Sequence, residues 1–373
     1  MPEPVPSARS IALVIFRLAP AGGLEQHCLR LGALLQSRGC EVTIVTTRPA
    51  PTPGLAVESL PVRGRTNHGR LAAFAEDAAR ATAGRFDVTV AFHAIPGFDV
   101  IFCADPSRSN PPAAKRWLPR YATYARLERA AFAPGRLGRA LLLSRAQVEG
   151  FARNAGAPRD RLTLLAPTVD RTRAAPATPA DRGAARARLG LEAGVIAWLW
   201  VGLQPNTKGL DRALKALAAV PGARLLVAGL DPAGRSHAEV QRLAERLGVA
   251  ARVTWLGFLD NAGLTSAMAA ADLLVHPARA DVTGGVILEA MANGLPVITT
   301  AVCGFGEHVE KADAGVVLAE PFRQPALTSA LQAVTPADLA RWSKAATAYA
   351  GDPALFSGLE VAADLVLEAA RGR

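Results

Sequence analysis

Residues 280–300 read ADVTGGVILEAMANGLPVITT, and the strand-like run DLLVHP (272–277) comes immediately before them. Gly284-Gly285 opens an apolar helical run, Gly294 stops it, and Pro296-Val297 enters a second apolar run. Strand, glycine loop, helix and strand in that order make a βαβ unit, which demands a parallel sheet. Upstream, VIAWLWVG (195–202), ARLLVAG (223–229) and RVTWLG (252–257) alternate with helical patterns such as LDRALKALAAV and HAEVQRLAERLGV. The first half repeats the scheme. IALVIF (11–16) leads through RLAPAGG into the helical LEQHCLRLGALLQSRG and then EVTIVTT (41–47), with further strand candidates at DVTVAFH, DVIFCA and ALLLS. The expected fold class is α/β, with two doubly wound Rossmann-like domains facing each other across a cleft.

The domain bounds expected from these patterns are a loose tail over 1–10, a first domain over 11–170, a linker over 171–190 and a second domain over 191–350. A final segment, 351–373, is expected to return to the first domain. The linker reading rests on DRTRAAPATPADRGAARARLG (170–190), rich in Pro, Ala and charge. Hydrophobic residues make up 50% of the 373 and charged ones only 20%, which excludes a disordered chain. No apolar run approaches the roughly 18 residues of a membrane-spanning helix. The four cysteines stand far apart without a Cys-x-x-Cys pair, which argues for reduced thiols and against a zinc site. The net charge of +10 suits an anionic partner: a phosphorylated substrate, a membrane surface or nucleic acid.

In open parallel sheets ligands sit beyond the carboxyl ends of the strands, where helix N-termini point. Gly284 and Gly285 fit a close approach of a diphosphate to free backbone amides. Asp281 and Glu289, on either side, fit a nucleotide-sugar lying across the helix end; the alternative is a helix with an acidic first turn and a glycine start. APAGGLE (19–25) lacks the Gly-x-Gly-x-x-Gly spacing of dinucleotide binders; Gly22 and Gly23 open a helix whose amides can face a phosphate, or form a tight turn, which is the reading of this stretch taken alone. Lys208, in GLQPNTKGLD (202–211), stands where it can neutralise a leaving diphosphate, or is simply solvated. His93 and Asp99 flank a Pro-Gly turn, either as sugar-facing groups or as a half-buried histidine and a turn-capping acid. RTNHGR (65–70) reads as a polar loop. Between 105 and 139 Arg108, Lys115, Arg116, Arg120 and Arg126 are interleaved with Trp117, Tyr121 and Tyr124. That mixture suits an anionic bilayer or a phosphorylated acceptor, or else a solvated helix face over a small core. With no helix-turn-helix, RNA-binding or zinc signature visible, a nucleic-acid partner is not expected.

AGGLE, NTKG, HPARADVTGGVILEAMANGLPVITTAVCG and EPF together resemble the retaining glycosyltransferases of family 4, whose signature is Glu-x7-Glu followed by Ala and a Gly-x-Pro-Val strand entry. It stands here as Asp281-x7-Glu289, Gly294, Pro296 and Val297. TNHGR, PGFDVIFCADPS, RYATYARLERAAF, LLLSRAQVEGF, MAAADLLVHPA and TTAVCGFGEHVE are similar to the branch that adds the first glucose to an inner-core heptose of lipopolysaccharide. The resemblance runs from about residue 11 to the C-terminus.

It implies a GT-B fold, UDP-glucose as donor, a lipopolysaccharide inner-core acceptor, retained anomeric configuration and no metal or other cofactor. By the same resemblance Glu289 binds the ribose, Asp281 the transferred sugar, Gly22 and Gly23 the diphosphate and sugar, and Lys208 the diphosphate charge. Asp99 and His93 are then expected at the reaction centre, which with Asp281 and Lys208 makes four catalytic candidates. The segment 105–139 matches a region that docks on the inner face of the bacterial inner membrane, implying a cytoplasmic peripheral enzyme. Two residues depart from the pattern. Asp281 is one methylene shorter than the usual Glu, and Thr207 stands where close relatives carry an Arg. Another nucleotide-sugar donor (hexosamine, galactose or heptose) is the alternative, and a sugar-nucleotide binder without catalysis is a further one.

Overall fold

The computed structural model describes residues 9–18, 22–50, 52, 54–111, 113–133, 138–170, 172, 174 and 176–371. The chain forms two compact units, Met1–Thr168 with Ser357–Arg373, and Val169–Phe356. The first unit holds strands β1 (Ser10–Val14), β2 (Glu41–Thr46), β3 (Ala56–Ser59), β4 (Val88–Ala91), β5 (Val100–Cys103), β6 (Arg139–Leu142) and β7 (Leu162–Leu164). Their spatial order is β3-β2-β1-β4-β5-β6-β7. All pairings are parallel, with Ile11 opposite both Val42 and Val88.

The second unit holds β8 (Ala197–Val201), β9 (Arg224–Ala228), β10 (Val253–Gly257), β11 (Leu273–His276), β12 (Val297–Thr300) and β13 (Gly315–Leu318). Their order, β10-β9-β8-β11-β12-β13, is again wholly parallel. Each sheet reverses its winding between its first and fourth strands, β1 and β4 or β8 and β11, and opens a crevice beyond their carboxyl ends.

Both sheets are covered on two faces, so their central strands are largely apolar rather than alternating with polar residues. Successive side chains feed opposite cores. Ile11 and Leu13 join one cluster while Ala12 and Val14 join another; Ala197 and Leu199 are likewise separated from Trp198 and Trp200. The helix Gly358–Arg371 lies in the first unit. It buries Leu359, Ala362, Ala363 and Val366 in the core shared with Leu31 and Leu35, while Arg38 pairs with its Glu360 and Asp364.

Residues 171–190 are not simply a linker, which corrects the sequence reading. Pro179–Arg188 forms a helix of the second unit, capped by Thr178. Its arginines terminate a neighbouring helix. Arg182 donates to the carbonyls of Ala269 and Ala271, Arg186 donates to Ala270, and both pair with Asp272. The expected tail over 1–10 is cut short because Ser10 already belongs to β1; residues 1–8 lie outside the described residues. RTNHGR is also more than a loop. Thr66 caps the helix Asn67–Thr82 by accepting from the Gly69 amide at 3.2 Å.

Candidate active site

At the carboxyl end of β11 the chain turns from His276 through Pro277 to Asp281 before the helix Gly285–Ala292 begins. Asp281 accepts three hydrogen bonds. His276 Nε2 lies 2.9 Å and Lys208 Nζ 2.7 Å from Oδ2, while the Gly284 amide donates to Oδ1 at 2.9 Å. A carboxylate has about four acceptor positions, so three are already occupied. The side chain is 11% exposed. Burial alone would raise its pKa, but the hydrogen bond and charge of His276, reinforced by Lys208, hold it at about 2. His276 shows the reciprocal effect. Burial would lower its pKa, but hydrogen bonds to Asp281 and Cys303 outweigh burial and raise it to about 9. At neutral pH the pair is therefore an imidazolium and a carboxylate.

Lys208 reaches this point because its backbone is fixed. Its amide donates to Gln204 O at 2.9 Å, and its carbonyl accepts from the buried Trp200 Nε1 at 2.9 Å. Gly209 follows at φ +72°, and a side chain there would come within 1.9 Å of the Pro277 carbonyl, so only glycine lets this loop close onto β11. Arg279 completes the junction by donating to Asn206 O at 2.6 Å and pairing with Asp211 through both guanidinium nitrogens, at 2.7 and 2.8 Å. An arginine thus flanks Thr207 from another segment, and its backbone amide donates to Thr207 O at 2.8 Å.

Gly284, at φ +73°, is the N-cap of the helix Gly285–Ala292, and a Cβ there would lie 2.8 Å from Ile287 Cδ1. A Cβ at Gly285 would meet no atom within 4 Å, so this helix end is open to a ligand. Glu289 is the fifth helical residue, roughly 6 Å along the axis from Gly285 at about 1.5 Å per residue.

In the first unit Gly22 is the N-cap of the helix Gly23–Ser37. The space a side chain at Gly22 would take is filled by the Glu25 carboxylate, with Oε2 1.8 Å from the Cβ position. An acid of the chain thus already sits at the positive helix end, where a diphosphate was expected. Beside Gly23 the space is open. His93 follows β4, and its Nε2 accepts from the Phe16 amide at 3.1 Å. Burial lowers its pKa to about 4, with Asp105 opposing and Arg108 and Arg17 assisting, so it is a neutral imidazole at pH 7. It lines a pocket with Asp105, Arg108, Tyr124 and Glu128.

Asp99 is a correction. It precedes β5, on the amino edge of the sheet, and its Oδ2 accepts from the Thr89 amide at 2.9 Å and the Thr89 hydroxyl at 2.7 Å. His93 lies at the carboxyl edge. The Pro-Gly turn between them returns the chain from the carboxyl edge to the amino edge of the sheet, so Asp99 ties the start of β5 to Thr89 and does not share the His93 crevice.

The basic segment divides in two. Lys115, Arg116, Trp117, Arg120 and Arg126 are exposed, Trp117 at 85%, with Leu118 also exposed. Arg108 and Tyr124 instead turn inward, the guanidinium 4.8 Å from the Tyr124 ring centre, and Tyr121 is half-buried beneath Arg120 at 4.9 Å. Arg136 lies outside the described residues.

The family model for glycosyl transferases group 1 matches residues 181–347. The lipopolysaccharide glucosyltransferase WaaG of Escherichia coli K12 is 33% identical over 374 residues, spanning 95% of this chain and 98% of that protein. The chain belongs to the WaaG family of lipopolysaccharide glucosyltransferases. A crystal structure of WaaG superposes with a TM-score of 0.86 at 31% identity, covering 95% of this chain and 99% of the other. Alr3699/HepE of Anabaena, solved in complex with UDP-glucose, has a TM-score of 0.75 at 18% identity and covers 98% of this chain and 100% of its own, a likeness of fold. The fold of this glycosyltransferase is GT-B, built from two Rossmann-like domains.

Two members of the cluster escape sequence reasoning in this glucosyltransferase family member. His276 looks like the polar end of a buried strand, and Cys303 like one of four scattered thiols. Cys303 is joined to Asp281 by a parallel backbone bridge, and its sulfur accepts from Thr299 Oγ1 at 3.3 Å. The four cysteines are free and buried. Ligand atoms of His276, Asp281 and Cys303 lie within 4.8 Å of one another, a spacing a metal ion could bridge. Here the Asp281 oxygen facing His276 is also taken by Lys208, so both side chains already occupy it. In the HPARAD string, only the five-residue step from His276 to Asp281 hinted at this contact.

Proposed function

We propose that this glycosyltransferase moves glucose from UDP-glucose to a heptose hydroxyl of the lipopolysaccharide inner core, with the anomeric configuration retained. The observation that carries the reading is the Lys208–Asp281 pair beside the open amide end of the helix Gly285–Ala292, with Glu289 one turn inside. During transfer the bond between the anomeric carbon and the β-phosphate oxygen breaks, and its electron pair stays with UDP. Negative charge grows on that phosphate. A preorganised ammonium and helix amides stabilise it without reorganisation at the moment of reaction. The acceptor oxygen bonds to the anomeric carbon from the face UDP leaves, and its proton passes to the departing phosphate oxygen. Glu289 holds the ribose hydroxyls, and Asp281 keeps Lys208 in place while its remaining acceptor position meets a sugar hydroxyl.

Charge neutralisation in this reading comes from Lys208 and backbone amides rather than from a metal ion, so excess EDTA should leave turnover within about twofold. We also place the enzyme on an anionic membrane surface, through exposed Trp117 and Leu118 among Lys115, Arg116 and Arg120. No described helix is long and apolar enough to cross a membrane. A donor screen with heptose-terminated core as acceptor tests the main reading. Glucose transfer with release of UDP is expected; turnover of a hexosamine, galactose or heptose donor with no binding of UDP-glucose would overturn it.

A further inference from the structure

Three arginines of the first unit line a single pocket that the reaction above leaves unused. Arg17 follows β1, Arg48 follows β2, and Arg70 lies in the first turn of the helix Asn67–Thr82. They border about 340 Å³ of open space together with Thr47 and Asn67. No residue lining the space is acidic. Among the described residues neither Arg17 nor Arg48 has a carboxylate partner, and Arg70 gives only its Nε, to Gly64 O at 3.1 Å. Other arginines of this chain are handled differently. Arg38, Arg63, Arg85, Arg159, Arg182 and Arg279 are each paired with an acid.

Arg17 and Arg48 are exposed and Arg70 is half-buried, so three like charges border one space and set up a positive field that favours an anion there. A guanidinium offers a planar fork of donors that matches phosphate and carboxylate oxygens. The positive end of a sixteen-residue helix at Asn67 adds to the same field. Below the arginines the Thr47 hydroxyl donates to the Phe16 carbonyl, so the floor is tied to the strand ends and not to a mobile loop. The amide of the same residue, Phe16, donates to His93 Nε2, and Arg17 contributes to the field at that imidazole. The pocket therefore adjoins the His93 crevice at the carboxyl edge of the first sheet.

We propose that Arg17, Arg48 and Arg70 form an oxyanion subsite that grips a phosphate or carboxylate carried by the acceptor saccharide. This rests on the glucosyl-transfer reading, with the acceptor bound in the first unit. The subsite orients the acceptor and selects anionic over neutral saccharides.

The test uses the full-length protein with UDP-glucose and three synthetic acceptors: a neutral heptoside, the same heptoside bearing a phosphate, and one bearing a carboxylate. Arg17→Gln, Arg48→Gln and Arg70→Gln are compared singly and together, with thermal unfolding to confirm that each variant folds. The expected result is a KM at least tenfold higher for the anionic acceptors in the triple variant, with kcat and the neutral acceptor changed less than twofold. Phosphate and carboxylate acceptors affected unequally would identify the group that is read. Inorganic phosphate should compete with the acceptor in the parent and lose that competition in the triple variant. Equal losses on neutral and anionic acceptors overturn the proposal. So does an unchanged KM accompanied by weaker sedimentation with phosphatidylglycerol vesicles, which would assign the arginines to lipid headgroups. Calorimetric binding of UDP-glucose without acceptor reports the donor reading separately; its absence in the parent would sink that reading and not the subsite.

Discussion

The Nε2 atom of His276, a side chain 1% exposed, lies 2.9 Å from Oδ2 of Asp281, and Nζ of Lys208 approaches the same oxygen at 2.7 Å. One carboxylate thus sits between a buried side chain at the end of β11, five residues earlier, and a half-buried lysine from a loop about seventy residues earlier. Buried pairs of this kind contribute little net stability when intact but cost heavily when one partner is removed. Their value here is geometric, because the pair fixes Lys208 next to the open helix end.

The pair should make stability depend on pH with a definite sign. His276 titrates at about 9 in the folded chain against an ordinary 6.5, so its contribution is complete below 6.5 and disappears as pH rises through 9. Asp281 titrates at about 2 against 3.8, so its contribution is complete above 3.8 and disappears as pH falls through 2. Urea unfolding of the second unit should fall by on the order of a few kcal/mol between pH 6.5 and 9.5. His276→Gln should flatten that limb; an unaltered limb would assign it to other groups.

Lys208→Ala should lower kcat by roughly 10²–10³, the usual effect of removing one preorganised charge at a leaving group. Asp281→Asn should raise donor KM as well, because the lysine loses its anchor. Steady-state kinetics with UDP release as readout separates the two. A Lys208 variant with parental kcat removes the lysine from the leaving-group role.

Glu289→Ala should weaken UDP binding by about tenfold, as expected for loss of a charged hydrogen bond to ribose. Calorimetry with UDP, which has no transferred sugar, isolates that contact. Parental affinity in the variant would place the ribose elsewhere.

Replacing Arg116, Arg120 and Arg126 with Gln should reduce sedimentation with anionic vesicles by an order of magnitude or more, at roughly 1 kcal/mol per basic residue. Trp117→Ala should reduce it further, even at high salt, because its contribution is apolar burial. Binding that does not change in either variant would leave the exposed segment as a solvated surface.

Acid should weaken the first unit earlier than the second. Burial, helped by Arg30, holds His27 at about 4, and burial also holds His93 at about 4. The unfolded chain therefore takes up two protons below pH 6.5 that the native unit refuses until about 4. Stability should decline across that window. His93→Gln should reduce the slope by about half, as read from denaturant midpoints at pH 4.5 and 7.

Local pattern alone determined the alternation of strands and helices, the glycine loops at 202–211 and 280–285, the buried thiols and the family resemblance. These features depend on hydrophobic period and turn chemistry within a dozen residues. The edge strands β3, β7 and β13 escaped because, only partly buried at the sheet edges, they lack the fully buried apolar runs of the central strands. The helix Pro179–Arg188 escaped because arginines that bind carbonyls look, in sequence, like arginines that bind water.

Only the tertiary structure decided which charges meet. Parallel crossovers carry successive strand ends to one edge, so Lys208 joins His276 and Asp281, and Arg17, Arg48 and Arg70 come to one pocket. The same geometry separates His93 from Asp99, six residues apart, because a residue at the end of one parallel strand and another at the start of the next lie on opposite edges of the sheet. Spacing along the chain carries no record of that, since the strands are aligned by hydrogen bonds and packing between segments far apart in sequence.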